Sequence, residues 1–159
     1  MARITVATNI QAPLQKVWDF TNDMQRMPEW VTFADELISV SDGPVGLGTV
    51  YRERGGVGPI KSVSEWRITE FEPPHRQVHI GDLGIMKPVL TMTLEPTSGG
   101  VIFRQDMEFQ AMPFFRPLGI LLEWLFIRRS LEKGLHETQA NLKRLLEADT
   151  TGESHEPSP

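Results

Sequence analysis

The chain reads as an α+β domain in which an antiparallel sheet curves around one long terminal helix. Three observations carry that reading. Seven segments show the two-residue apolar period of a strand, the links between the later ones leave no room for crossover helices, and a C-terminal stretch repeats leucine at helical spacing. Strands grouped together and bracketed by helices must cover an apolar sheet face with those helices.

Residues 4–10 alternate Ile4, Val6 and Ile10 with Thr5 and Asn9 and form the first strand. Pro13 opens a short helix whose face carries Val17, Trp18, Phe20 and Thr21, and Asn22-Asp23 breaks it. MQRMPEW at 24–30 supplies a second short helix. Strands follow at 36–41 and 49–54 around the turn DGPVGLG, then at 60–71 after GGVGP. Pro73-Pro74 turns the chain into a fifth strand at 76–80, and the segments 89–95 and 101–110 close the set around PTSGG. The terminal helix is expected from about 114 to 148, with Leu121, Leu125, Leu131, Leu135, Leu142 and Leu146 on its apolar stripe. Residues 148–159 are polar, contain Gly and Pro, and read as a disordered tail after a single domain over 1–147.

Composition narrows the function classes. At 159 residues, 40% hydrophobic and 23% charged, the chain suits one globular domain. A net charge of -5 gives no basic footprint for nucleic acid. Without cysteine there is no disulfide, thiolate or Cys-ligated metal chemistry. No HExxH, P-loop or GxSxG pattern appears, and His75, His79, His136 and His155 lack metal-ligand spacing, so neither a metal nor a cofactor is expected. The start MARITVATNI has no signal-peptide layout, which points to a cytoplasmic address.

Four features, VWDFTND at 17–23, MPEW at 27–30, WRITEFEPP at 66–74 and LHETQANLKRLLE at 135–147, occur in an order and spacing that resemble the START/Bet v 1-like (SRPBCC) superfamily. Within it, the likeness is to the polyketide cyclase/dehydrase and lipid transport group. The resemblance implies a helix-grip fold: a seven-stranded antiparallel sheet around the long helix, with two short helices after strand one and a cavity between sheet and helix. It also implies a hydrophobic small-molecule ligand, such as a lipid, a sterol-like molecule or a polyketide. The family shares no catalytic motif, so it indicates where a site lies better than what reaction occurs there.

A cavity wall should be apolar with a few placed polar groups. On the last strand Phe103, Gln105 and Met107 share a face with Val101 and Phe109, and on its neighbour Leu90 and Met92 share one with Leu94. Trp66 and Ile68 are expected to face the helix together with Val78 and Ile80. By the same alternation His79 falls on the solvated side, near Glu65 and Arg67. Pairing across GGVGP sets Tyr51 opposite Val63 and Glu53 opposite Lys61, and leaves the inward face of 49–63 open; Tyr51 is a phenolic candidate, while Glu53 reads as an edge charge. Trp30 belongs to the plug of short helices, and Leu121, Trp124 and Leu125 bring the helix to the cavity. The segment 118–127 is apolar around most of its circumference, which makes it a candidate for a homodimer interface or transient membrane contact near Arg128-Arg129. The leading expectation is a carrier or sensor of a hydrophobic ligand without catalysis. The alternatives are a cyclase, aromatase or isomerase in the same cavity, favoured by an inward cluster of Tyr51, His79 or an Arg with a carboxylate, and an accessory protein that uses the apolar helix as a partner surface.

Overall fold

The computed structural model describes residues 2–84, 86–109 and 119–153; within the last range the side chains of 119–124 and 152–153 are outside the description. The element order is β1 (Ala2–Ile10), α1 (Leu14–Asn22), a 3-10 turn (Met24–Arg26), α2 (Met27–Trp30), β2 (Ala34–Val40), β3 (Val50–Val57), β4 (Ile60–Glu72), β5 (Arg76–Asp82), β6 (Val89–Thr97), β7 (Gly100–Phe109) and α3 (Gly119–Glu153). All seven strands form one antiparallel sheet in the order β1-β7-β6-β5-β4-β3-β2. Each strand pairs with its sequence neighbour except at β1–β7, where the first strand returns to the last.

The long helix is stitched to β1 and to the short helices by side-chain hydrogen bonds. Gln139 Nε2 donates to the Val6 carbonyl at 3.0 Å, Lys143 Nζ to that of Asn9 at 2.6 Å, and Asn141 Nδ2 to that of Trp30 at 3.4 Å. The Thr32 amide donates to Thr138 Oγ1 at 3.0 Å. These bonds fix the helix against the sheet and the short helices.

Between helix and sheet lie two apolar clusters. One, with Ile10, Val17, Trp18, Leu94, Val101, Phe103, Leu142 and Leu146, is closed by α1 and tightly packed there, with Ile10, Phe103, Leu142 and Leu146 all 0% exposed, while its members Trp30 and Met92 reach the cavity. The other holds Ile4, Met24, Met27, Tyr51, Trp66, Ile68, Met107, Leu131 and Leu135, and its members Met24, Met27, Tyr51, Trp66, Met107 and Leu135 border a cavity. Gly134 lets the loop before β2 come close, because a Cβ there would sit 2.2 Å from Phe33 Cζ. The ring of Phe33 thus takes the space a side chain at 134 would need.

Four sequence expectations change. The β3–β4 hairpin turns at Gly58-Pro59, not across GGVGP: Val57 pairs with Ile60, so Tyr51 opposes Trp66 and Glu53 opposes Ser64. Gly56 (φ 151) and Gly58 (φ 57) adopt backbone that L-residues avoid, which lets the strands run three residues further than the composition suggests. Second, β4 carries a bulge at Thr69: Glu72 opposes Arg76, yet Ile68 opposes His79 where unbroken register would give Ile80. Third, α3 continues through Glu153, so 148–153 are helical, with Thr150 Oγ1 and Thr151 Oγ1 bonded back to the carbonyls of Leu146 and Glu147; residues 154–159 lie outside the described residues. Fourth, Leu125, Phe126 and Ile127 are exposed, at 40%, 68% and 42%. Leu125 is therefore not a cavity residue. The expected helix start at 114–118 lies outside the described residues, as do the side chains of Leu121 and Trp124.

Candidate functional site

The bulge in β4 decides what the cavity contains. Trp66 and Ile68 face the helix, and the one-residue slip puts His79 across from Ile68 on that same face. His79 is accordingly 3% exposed, while Ile80, expected inward, is 42% exposed. Val78 is buried but alternates with Gln77 and His79 onto the other face, which corrects its assignment to the helix side. Gly81 permits the arrangement: an added Cβ would lie 2.9 Å from Trp66 Cζ3, so only glycine leaves room for the indole.

Of the expected residues, Trp30, Tyr51, Trp66, Leu90, Met92, Gln105 and Met107 line the cavity. Ile68 and Phe103 are fully buried in packed core and do not line it. The walls also include Met24, Met27, Phe33 and Leu135, and two groups read from sequence as surface features, His79 and Glu53. The volume open to the centre of a water molecule is about 60 Å³. At roughly 10–15 Å³ for each water, that is room for about four to six.

The polar groups in this apolar enclosure form a connected set. Tyr51 Oη lies 2.9 Å from His79 Nδ1. When the phenol donates to Nδ1 the histidine proton resides on Nε2; in the other tautomer Nδ1–H donates to the phenol and Nε2 is an acceptor. The Tyr51 ring stacks on Trp66 at a centroid distance of 6.5 Å and meets His79 edge-on at 5.7 Å. Glu53 Oε1 accepts from Trp66 Nε1 at 3.0 Å and from Ser64 Oγ at 3.4 Å. Both bonds reach the same carboxylate oxygen. Lys61, the expected partner of Glu53, instead pairs with Asp35 at 2.8 Å.

Burial governs the ionisation of these groups. It pushes Glu53 up to about 7 against the two hydrogen bonds that favour the carboxylate. It pushes His79 down to about 4, so the imidazole is neutral at physiological pH. Tyr51 is raised well above its ordinary value, first by burial and then by the Glu53 charge. Three lining groups, Trp30 Nε1, His79 Nε2 and Gln105 Oε1, have no protein hydrogen-bond partner, and Gln77, in register with Met92 and Gln105, has both amide atoms unpartnered. Buried polar atoms are nearly always bonded, so these mark positions for water or a ligand. Among the described residues no group of three His, Asp or Glu is arranged to hold a metal ion, and no helix is long and apolar enough to cross a membrane.

The signal for this cluster was present in the sequence but ambiguous. Tyr51, Glu53 and Gly55 alternate, as do Gln77, His79 and Gly81. Each set becomes inward only once the register is known.

A curved antiparallel sheet closed by a helix over a mostly apolar cavity defines a protein of the helix-grip class. The chain belongs to the polyketide cyclase/dehydrase and lipid transport family, whose profile matches residues 1–147. An uncharacterized protein of Mycobacterium tuberculosis is 25% identical over 120 residues, covering 75% of this chain and 84% of its own. Among solved structures, the di-domain ARO/CYC StfQ of the steffimycin biosynthetic pathway superposes with a TM-score of 0.77 at 11% identity, over 94% of this chain and 51% of that one. Ara h 8.0201 superposes with a TM-score of 0.69 at 12% identity, over 92% and 98%. At these identities the structural likeness speaks for the fold.

Proposed function

We propose that the protein binds a hydrophobic small molecule, of lipid, sterol-like or polyketide type, between the sheet and α3, as a carrier or sensor. The observation that supports this most directly is a cavity of thioether, aromatic and aliphatic walls with unpartnered polar atoms set into it. The family description agrees with a hydrophobic ligand. At about 60 Å³ the cavity is smaller than such ligands, so binding requires the walls to move. Met24, Met27, Met92 and Met107 are the side chains suited to that, being unbranched and adaptable. Native mass spectrometry of the protein purified from its own source tests the proposal. A co-purified apolar compound, displaced in a folded Met107→Trp variant, is the expected result; a compound retained equally by that variant places binding elsewhere.

The inward cluster favours a second reading, an enzyme of cyclase, aromatase or isomerase type. A carboxyl group held near 7 suits proton exchange at neutral pH. Glu53 would take a proton from the carbon beside a ligand carbonyl while His79 Nε2–H holds the developing enolate oxygen. Under this reading Glu53→Gln abolishes turnover of an enolizable aromatic ketone while binding changes only a few-fold. Under the carrier reading no such turnover exists in the wild type.

A further inference from the structure

We propose that the cavity selects a neutral apolar ligand bearing a hydroxyl group over one bearing a carboxylate, the hydroxyl lying against Glu53, Gln105 and His79. This rests on the cavity reading above and supplies the ligand chemistry that reading leaves open. The described lining contains one carboxylate, Glu53, and neither lysine nor arginine. Glu53 Oε1 takes both the Trp66 and Ser64 bonds, and Oε2 takes neither. Gln105 Oε1 is a second acceptor without a partner. His79 Nε2 is unpartnered: with Tyr51 donating to Nδ1 it carries a proton and is a donor, and in the other tautomer it is a further acceptor, which a hydroxyl can also satisfy and a carboxylate cannot.

A hydroxyl both donates and accepts, so it matches this set: its proton goes to Glu53 Oε2 or Gln105 Oε1, and its oxygen accepts from His79 Nε2–H when that nitrogen holds the proton. A carboxylate accepts only. It would meet two acceptors, and one of them shares its charge. The neutral donors His79 Nε2–H and Trp30 Nε1–H do not supply the countercharge that a buried anion needs. Two carboxyl groups in one dry site cannot both ionise, so a carboxylate ligand would bind only by keeping a proton on itself or on Glu53. The selection therefore sharpens as pH rises through the range in which Glu53 ionises.

The test compares naphthalene, 2-naphthol and 2-naphthoate by calorimetry on the full chain at about pH 6 and about pH 8. Expected is 2-naphthol binding about tenfold or more tightly than 2-naphthoate at the higher pH, with a narrower gap at the lower one. Glu53→Gln, which keeps the shape and removes the charge, should close most of that gap. Equal or tighter binding of 2-naphthoate overturns the proposal, as does a gap that neither pH nor Glu53→Gln changes. If the variant does not fold, the wild-type pH series decides alone. Failure of all three probes, naphthalene included, overturns the cavity reading itself; binding of naphthalene and 2-naphthoate as tightly as 2-naphthol leaves that reading standing and sinks the selection.

Discussion

Ile68 and Ile80 belong to one hairpin, yet the first is fully buried and the second is 42% exposed. The bulge at Thr69 separates them, since it turns one strand's inward set against its partner's by a single residue. Removing buried methylenes leaves a cavity whereas trimming an exposed side chain does not, so Ile68→Ala should cost about 2–5 kcal/mol and Ile80→Ala less than about 1 kcal/mol in urea unfolding. Equal costs would mean that the assigned register is wrong. Gly81→Ala tests the same geometry from the other side: its Cβ meets the Trp66 ring at 2.9 Å, and the expected loss is about 1–3 kcal/mol. Restoration by Trp66→Leu in the same chain would show that the indole is the obstacle.

Strands β3 and β5 bring together two groups whose pH dependences oppose each other. Glu53 titrates near 7 in the fold against an ordinary 4.5, so the folded chain holds a proton that the unfolded chain has lost, and stability falls as pH rises through that window. His79 titrates near 4 against an ordinary 6.5, so the unfolded chain holds the extra proton, and stability rises with pH between those values. Where the windows overlap the two contributions cancel. Urea midpoints of the wild type should therefore be nearly flat in their response to these groups between about pH 4.5 and about pH 6.5. Glu53→Gln should unmask a rise approaching about 1.4 kcal/mol per pH unit, and His79→Gln a fall of similar size. Parallel slopes in the two variants would refute the assigned burial of one group. At this scale the composition had shown Tyr51, Glu53 and His79 separately, but their convergence depends on where the β3–β4 turn and the β4 bulge fall, and short-range residue preferences do not fix either.

Over the whole molecule, one half of the helix–sheet interface is solid around Leu142 and Leu146, and the other half holds the cavity beside Leu131 and Leu135. Local opening should follow that division. In hydrogen exchange the β7 amides near Val101 and Phe103 are expected to exchange more slowly than those near Met107 and Phe109, because the latter strand segment backs onto adjustable walls. A bound ligand should narrow the difference and, at about a hundred times its dissociation constant, stabilise the fold by roughly 2.7 kcal/mol. Ligand binding that stabilises the fold but leaves the two halves as different as before would place the ligand outside the cavity.

By itself the sequence determined the α+β class, the order of the elements, the antiparallel sheet and the faces of β6 and β7, because two-residue and helical periodicities are local and those strands carry no bulge. Leu90, Met92, Gln105 and Met107 were legible for that reason. Only the tertiary structure decided the interior of the site. A slip of one residue exchanges every side chain between core and solvent, so the bulge at Thr69 and the tight turn at Gly58-Pro59 moved His79 and Glu53 inward and Ile80 outward. Periodicity gives the alternation within a strand; which of its two phases faces the helix is set by pairing with strands elsewhere in the chain.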